Sequence, residues 1–200
     1  MKEIRATLVL LSMFTLLTGL AYPLAITGLA QILFPAQANG SLIQSNGAVV
    51  GSRLIGQSFT SDRYFHGRPS ATTGADSSDP SKSVDQPYNA AASSGSNLAP
   101  TSKALAEAVA GRAQALGPGR QPADLVTASA SGLDPHISPA GAYAQVERVA
   151  RARNLPVATV RALVDKTAQG REFGILGEPR VNVLELNLAL DKLGAGGTGS

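Results

Sequence analysis

Ala6-Thr-Leu-Val-Leu-Leu-Ser-Met-Phe-Thr-Leu-Leu-Thr-Gly-Leu-Ala-Tyr-Pro-Leu-Ala-Ile-Thr-Gly-Leu-Ala-Gln-Ile-Leu-Phe34 is a stretch without a charged residue, and the next charge is Arg53. As a helix rising about 1.5 Å per residue it reaches roughly 40 Å, more than the ~30 Å hydrocarbon core of a bilayer requires. Tyr22-Pro23, near its middle, predicts a bend or an approach to the membrane interface. The stretch therefore predicts one transmembrane helix, within a first segment of residues 1–34.

Basic residues predict the direction in which this helix crosses the membrane. Lys2 and Arg5 precede the apolar stretch, and no positive charge follows it closely. The positive-inside rule then places the N-terminus in the cytoplasm and the following residues outside. A cleaved signal peptide is the alternative, because Gly19-Leu-Ala21 resembles a cleavage site. Cleavage there would leave residues 22–34 as an exposed apolar tail, so the length of the stretch favours an uncleaved anchor.

Composition restricts the chemistry of the 200-residue chain. Its 17 basic and 14 acidic residues give a net charge of only +3, whereas nucleic-acid-binding proteins usually concentrate far more positive charge. The chain has no cysteine, which excludes thiol catalysis, cysteine-ligated metals and disulfides. We therefore expect neither nucleic acid as a partner nor a cysteine-based site.

The region after the anchor has the pattern of one small α+β or α/β domain, residues 35–194, with few strands and about four helices. Asn39-Gly40 and Asn46-Gly47 are turn dipeptides. The β-branched and apolar residues of 48–59, which lie between glycines, predict one or two short strands, or a hairpin with residues 41–44. Further elements are predicted from start and stop signals: a helix from 101 to about 116, a strand at 124–131, and helices at 138–153 and 156–170.

Three segments give weaker or conflicting signals. Residues 182–193 begin with a capping box of Asn182 and Glu185, but their leucines also alternate as in a strand; the caps favour a helix. Residues 72–101 have the composition of a flexible linker. Gly194-Ala-Gly-Gly-Thr-Gly199 matches the dinucleotide-binding fingerprint Gly-x-Gly-x-x-Gly as a string. Because no helix follows it to bind phosphate, we expect residues 195–200 to be a flexible tail instead.

Enzymatic chemistry has little support in the residues. The sequence contains no Gly-x-Ser-x-Gly nucleophile elbow and no Ser-x-x-Lys pair, as many serine hydrolases have. Its two histidines, His66 and His136, are the only imidazole bases, and their separation is not that of a metal-ligand set. Residues 147–164 resemble a basic helix-turn-helix, but two packed amphipathic helices outside the cytoplasm are the favoured interpretation. We expect no catalytic residues and no metal site, while a membrane-anchored periplasmic hydrolase stays an alternative.

Two loop segments instead have the composition of contact surfaces. Residues 63–70 contain aromatic and arginine side chains, and residues 88–102 are rich in Asn, Ser and Gly, which adapt closely to another surface. The candidate partner contacts are Tyr64, Phe65, His66, Arg68, Asn89, Ser94, Asn97, Asp134 and His136. The residues alone thus predict a membrane-anchored module that binds a partner.

Five blocks of the sequence are long and unusual in composition. They are Val50-Gly-Ser-Arg-Leu-Ile-Gly-Gln-Ser-Phe59, Tyr64-Phe-His-Gly-Arg-Pro-Ser-Ala71, Tyr88-Asn-Ala-Ala-Ala-Ser-Ser-Gly-Ser-Asn97, Ser129-Ala-Ser-Gly-Leu-Asp-Pro-His-Ile-Ser-Pro139 and Gly177-Glu-Pro-Arg-Val-Asn-Val-Leu184. Through these blocks the chain resembles the C subunits of the Kdp potassium-transporting ATPase, the KdpC family. The resemblance runs from the apolar N-terminus to Leu193 and leaves out the glycine-rich end.

The third of these blocks lies within residues 72–101, the segment that has the composition of a flexible linker. The resemblance therefore implies specified structure there. We predict that this loop is ordered, with local hydrogen bonds from the Asn89 and Asn97 side chains.

The resemblance implies a single-pass protein of the bacterial inner membrane with a periplasmic domain. Its implied partners are membrane lipid, a channel-like potassium-translocating subunit, a P-type ATPase subunit and a very small membrane subunit. The complex would hydrolyse ATP to import potassium, so ATP and potassium would be used by the complex, with no cofactor in this chain. In that family the C subunit is proposed to raise the ATP affinity of the ATPase subunit. The predicted topology favours assembly instead, because most of the chain would face away from cytoplasmic ATP and has no Walker-type loop.

Overall fold

The computed structural model describes the backbone of residues 2–195 and the side chains of residues 3–193. This part of the chain forms two compact units, which divide between Ser52 and Arg53. The predicted flexible tail, apart from Ala195, and the side chain of Lys2 lie outside the described residues. The expected boundary at residues 34 and 35, which separates membrane from exterior, stays a prediction.

The first unit begins with a nearly continuous apolar helix. Helix α1 spans Lys2–Leu16, a π-helical turn spans Leu17–Ala21, and α2 spans Tyr22–Leu33. The amide of Tyr22 donates to the carbonyl of Leu17, which widens the helix one residue before Pro23. A wider turn makes room for a proline ring, which clashes with the preceding turn of a regular α-helix. The irregularity predicted from Tyr22-Pro23 is therefore a π turn.

Within the described residues, one helix is long and apolar enough to cross a membrane, Glu3–Leu33, with 31 residues. Its large apolar side chains are exposed along its whole length, from Ile4 to Leu33. The predicted N-terminal apolar helix is thus confirmed as an element. In water such an exposed apolar surface would be strongly unfavourable, which agrees with a lipid environment.

A short helix and a hairpin complete the first unit. Helix α3 spans Pro35–Ala38, and strands β1 (Leu42–Ser45) and β2 (Ala48–Ser52) pair antiparallel. Both turn residues have left-handed backbone, with φ of 51° at Asn46 and 79° at Gly47, as a tight hairpin turn requires. The predicted hairpin is confirmed, although its second strand ends at Ser52.

The second unit combines four longer helices with short helices and strands. Its elements are β3 (Thr73–Ala75), β4 (Ser83–Asp85), α4 (Lys103–Leu116), α5 (Ala123–Val126), β5 (His136–Ile137), α6 (Pro139–Tyr143), α7 (Val146–Arg153), α8 (Val157–Thr167), β6 (Val181–Asn182) and α9 (Val183–Ala195). The pairs β3–β4 and β5–β6 are both antiparallel. A mixed domain with few strands is confirmed, and the antiparallel pairing identifies it as α+β rather than α/β.

The core of this unit lies among α7, α8 and α9. Val149, Val160 and Leu186 are completely buried there, one from each helix. Burying each such side chain contributes about 1.5–3 kcal/mol relative to leaving it exposed. Asn182 caps α9 by accepting from the amide of Glu185 at 3.1 Å, so the ambiguous segment 182–193 is a helix.

Two predicted elements differ from the structure. The strand predicted at residues 124–131 is wrong. The segment begins inside the short helix α5, in which the adjacent Leu125 and Val126 are both buried. Neighbouring residues of a strand would point to opposite faces, whereas a helical turn buries both. The predicted helix at 138–153 is interrupted between α6 and α7, where Gln145 adopts φ −98° and ψ −11°. The predicted cap by Ser138 is confirmed, since its hydroxyl accepts from the amide of Gly141 at 2.9 Å.

Candidate partner-contact surface

Two buried side-chain amides fix the backbone of the first predicted contact segment. Asn187 of α9 accepts from the amide of Phe65 at 2.8 Å and donates to its carbonyl at 3.0 Å. The side chain of Gln145 likewise accepts from the amide of His66 at 2.8 Å and donates to its carbonyl at 3.1 Å. Each side-chain amide takes the place of a neighbouring strand as a hydrogen-bond partner, so the backbone polar groups of Phe65 and His66 are satisfied without belonging to a sheet.

Phe65 requires a correction. Its side chain is completely buried in the core cluster, so it cannot reach a partner while the domain is folded. The aromatic ring was expected at a contact surface because of its residue type, but it anchors the segment to the interior. The neighbouring Tyr64 and His66 are only partly buried.

Tyr64 is partly buried and lies in a small cluster with Arg153 and Asp191. The guanidinium carbon of Arg153 is 4.7 Å from the centre of its ring, within the range of a cation–π contact. Arg153 also binds Asp191 at 2.7 Å, and the Tyr64 hydroxyl donates to the same carboxylate at 3.3 Å. The ring is therefore held by α7 and α9.

His66 has an environment that disfavours its charged form. Burial lowers the pKa of its imidazole below the ordinary 6.5, and the positive charge of Arg148 acts in the same direction. The carbonyl of Ser61, 3.1 Å from Nε2, and the carboxylate of Asp62 oppose that shift. We expect His66 to be neutral at pH 7 and to donate its Nε2 proton to Ser61.

Arg68 lies beside Asp134 and His136, although Asp134 is 66 residues further along the chain. Arg68 Nη1 lies 3.1 Å from Asp134 Oδ2, and the His136 amide donates to Asp134 Oδ1 at 3.0 Å. Although burial alone raises the pKa of Asp134, the His136 side chain and amide, followed by Arg68, lower it overall. The three side chains stay 26–29% exposed, so this triad presents both charges at the surface.

The second predicted contact segment folds onto the residues that follow Arg68. The Tyr88 hydroxyl donates to the Arg68 carbonyl at 2.6 Å, and the Asn89 side chain donates to the carbonyl of Thr73 at 2.8 Å. The hydroxyl of Ser94 donates to the carbonyl of Ala71 at 3.1 Å. Burial, with the nearby charge of Asp134, raises the pKa of Tyr88 to about 12. The loop is therefore bound to the domain by its polar groups.

Asn89 and Asn97 behave differently. Asn89 makes the predicted local hydrogen bonds, including one in which its Oδ1 accepts from the amide of Ala91 at 3.1 Å. Asn97 is exposed with φ 52°, and no described residue forms a hydrogen bond with its side chain. The prediction is confirmed for Asn89 and wrong for Asn97, whose role is to allow the left-handed backbone.

Sequence reasoning missed the residues that position this surface. Gln145, 4% exposed, lies in the turn before α7, and Asn187, 1% exposed, lies on the buried face of α9; both are polar residues among apolar neighbours. That pattern signals a buried polar side chain, because such a group needs a specific partner, but it does not identify a partner 79 or 122 residues away. The sequence also offers no prediction for residues 169–180, which form a small hairpin through the backbone pairs Gln169–Arg180 and Glu172–Leu176.

Metal binding has no structural support within residues 3–193, where no three His, Cys, Asp or Glu side chains are grouped as ligands. The absence of a metal site and of catalytic residues in the whole chain stays a prediction. The Asp134–His136 pair, which could have belonged to a hydrolase, has its carboxylate bound to Arg68.

Comparison with known proteins gives one consistent result. The family model described as KdpC, K+-transporting ATPase, c chain, matches residues 4–192. The chain is 62% identical over 197 residues to a potassium-transporting ATPase KdpC subunit of Methylobacterium nodulans, covering 96% of this chain and 98% of the relative. It is 59% identical over 199 residues to the corresponding subunit of Bradyrhizobium diazoefficiens, covering 98% and 99%. The resemblance is confirmed, and the chain belongs to the KdpC family of K+-transporting ATPase c chains.

Proposed function

We propose that this chain is a non-catalytic accessory subunit that supports the assembly and stability of an ATP-driven potassium import complex. The observation that carries the proposal is the family match over residues 4–192. The potassium-transporting ATPase named for the relatives implies further subunits. We propose as partners a channel-like potassium-translocating subunit, a P-type ATPase subunit and a small membrane subunit.

The proposed location is the bacterial inner membrane, with the N-terminus in the cytoplasm and the second unit in the periplasm. The exposed apolar surface of residues 3–33 supports the anchor. Arg5 before the span, and the lack of any charge between it and Arg53, support the orientation. Most of the chain then faces away from cytoplasmic ATP, so any effect on ATP affinity would be indirect, through the membrane subunits.

A role in binding rather than bond chemistry agrees with how the two imidazoles are used. His66 is engaged with Ser61, and His136 lies beside a carboxylate already bound by Arg68. ATP and potassium are, in this proposal, ligands of the complex, and the chain has no cofactor of its own.

One purification experiment tests the proposal. The complex would be isolated in detergent through a tag on another subunit, with this chain as wild type, without residues 2–34, or as His66→Gln/His136→Asn. Removing the anchor should abolish co-purification of this chain with the tagged subunit, because the helix supplies both membrane attachment and intramembrane contacts. The double variant should lower potassium-stimulated ATP hydrolysis per assembled complex by less than about tenfold, since losing a general base costs about 10²–10⁴-fold.

Two results would contradict the proposal. Failure of the wild-type chain to co-purify with any ATPase subunit would remove the accessory role. A collapse of turnover in the double variant, at normal subunit stoichiometry, would show that an imidazole takes part in the reaction.

A further inference from the structure

The apolar helix contains the same four residues twice. Thr18-Gly-Leu-Ala21 lies in the π turn, and Thr27-Gly-Leu-Ala30 lies in α2. The two copies differ in the residue five positions after the threonine, which is Pro23 in the first copy and Ile32 in the second. One helical sequence is therefore followed once by a proline and once by a residue that has an amide proton.

The carbonyl of Thr18 has no amide partner in its own helix. A helical carbonyl accepts from the amide four residues further on, or five residues further on in a π turn. The amide of Tyr22 donates to Leu17 instead, and Pro23 has no amide proton. In the second copy, within the regular helix α2, the amide four residues after Thr27 is available.

Side chains of the helix do not replace the missing amide. The hydroxyl of Thr18 itself donates to the carbonyl of Phe14 at 2.7 Å. Among the described residues, no side chain donates to the Thr18 carbonyl, and its neighbours Leu17, Gly19, Leu20 and Ala21 have no side-chain donor. The carbonyl is therefore an unpaired acceptor.

The depth of Thr18 in a bilayer makes this unpaired carbonyl costly. The span Glu3–Leu33 has 31 residues, whereas about 20 residues cross the hydrocarbon core. Every window of that length within the span includes Thr18, so its carbonyl lies in the core wherever the helix sits. Hydrocarbon offers no hydrogen-bond donor, and backbone groups freed by a proline are satisfied there by neighbouring helices.

The backbone next to this carbonyl is open to a neighbouring helix. Gly19 has no side chain, and no atom lies within 4 Å of the position that its Cβ would take. Small residues let helix backbones approach closely in a membrane, and polar side chains then form hydrogen bonds across the contact. Gly28 is equally open. The unpaired carbonyl, and not the glycine, therefore distinguishes the first copy from the second.

The donor that this carbonyl needs comes from a different chain. Copies of this chain insert in one direction, so a second copy would pack parallel and meet the first at equal depth. From Leu16 to Ala21 the only side-chain donor is the hydroxyl of Thr18, which is already bonded to Phe14. A helix of another protein has no such restriction on the residue that it presents at this depth.

We propose that the carbonyl of Thr18 accepts a hydrogen bond from a hydroxyl or amide side chain on a transmembrane helix of another subunit of the potassium-transporting complex. This inference rests on the proposed accessory function and assigns the point of contact on the anchor. The hydrogen bond fixes the depth and the rotation at which the anchor meets its partner. The π turn before Pro23 is then part of an interface between subunits.

Solid-state NMR of the Thr18 carbonyl carbon tests the proposal. Carbonyl-¹³C threonine with ¹⁵N glycine selects the four Thr-Gly pairs of the sequence, and Gly19→Ala and Gly28→Ala identify the two helical signals by their loss. The full-length labelled chain is measured in vesicles of phosphatidylethanolamine and phosphatidylglycerol, alone and after assembly with the unlabelled complex that lacks it. Assembly should move the Thr18 signal downfield, as accepting a hydrogen bond does, and leave that of Thr27 unchanged.

Pro23→Ala provides the decisive variant, because it supplies the missing amide. The Thr18 signal should then lie downfield before assembly and stay there. The variant should bind the complex about three- to twenty-fold more weakly, as expected for one hydrogen bond between membrane helices. Leu24→Ala, which shortens a 67% exposed neighbour without adding an amide, should keep the shift of Thr18 on assembly.

The outcomes separate the inference from the function on which it rests. A Thr18 signal that does not move on assembly would overturn the inference and leave the accessory role intact, whereas failure of the wild-type chain to assemble would overturn both. A signal already downfield in the wild-type chain alone would also overturn the inference. The donor would then be water or a second copy, for example through its Tyr22 hydroxyl, and not another subunit.

Discussion

The loop of residues 88–97 and the hairpin of residues 169–180 each hold an aromatic residue in left-handed backbone, and they use it in opposite ways. Tyr88, with φ 61°, is half-buried and donates to the carbonyl of Arg68. Phe173, with φ 53°, is 91% exposed. The first loop is rich in polar residues and is bound to its own domain, whereas the second has an apolar tip, Phe173, Ile175 and Leu176, that is exposed to solvent.

The difference shows what composition does and does not predict. Polar loop residues bind the fold when backbone carbonyls such as those of Ala71 and Thr73 are within reach. Apolar residues of the hairpin tip have no such neighbours, and burial is the only way in which they can contribute free energy. The free-energy cost of left-handed backbone at Tyr88 is thus offset by contacts of its side chain within the domain. The same cost at Phe173 is not offset, because its side chain is exposed.

The largest expected effect is that of Tyr88→Ala. The ring is approached closely by the backbone at Gly56 and Gly67, so truncation leaves a gap between these segments as well as an unpaired carbonyl on Arg68. Loss of the ring should lower the free energy of unfolding by about 3 kcal/mol, the range typical of buried aromatic residues. Tyr88→Phe, which removes only the hydroxyl, should cost about 1 kcal/mol.

Urea denaturation of the detergent-solubilised chain measures both values. Equal stabilities of Tyr88→Ala and wild type would show that the loop is not bound to the domain in the manner described.

A smaller loss is expected for Gly132→Ala, which probes the surface on which the polar loop lies. Gly132 has φ 68°, and an added Cβ would lie 2.7 Å from the carbonyl oxygen of Ser94. Left-handed strain and overpacking together should cost about 2–3 kcal/mol. Gly174→Ala, with φ 77° but no atom within 4 Å of the added carbon, should cost only the strain of about 1–2 kcal/mol.

Gly170→Ala provides the third member of this glycine series. At Gly170 no atom lies within 4 Å of the added Cβ and φ is not left-handed, so the free energy of unfolding of this variant should stay within about 0.5 kcal/mol of wild type. The comparison fails if Gly132→Ala and Gly170→Ala unfold at the same denaturant concentration.

Local signals in the sequence were sufficient for the apolar helix, the Asn46-Gly47 hairpin, the longer helices and the Ser138 and Asn182 caps. Each depends on residues within about one or two turns of each other. The pairing of Arg68 with Asp134, and of Phe65 with Asn187, depends on contacts across 66 and 122 residues, which no local pattern specifies. For the same reason, Phe65 was assigned to a surface and the segment after Asp124 to a strand.

Phe173→Gly should change stability little, and the sign of the change distinguishes the two regions. Glycine removes the cost of a left-handed aromatic residue, about 1–2 kcal/mol, and adds unfolded-state entropy worth about 0.5–1 kcal/mol. Because an exposed ring contributes little burial, the free energy of unfolding should stay unchanged or rise by up to about 1 kcal/mol. Tyr88→Gly, which gains the same relief but loses a ring that the domain uses, should still lose about 2 kcal/mol. A large destabilisation by Phe173→Gly would mean that the ring packs on the domain in solution, and the hairpin would then resemble the polar loop instead of differing from it.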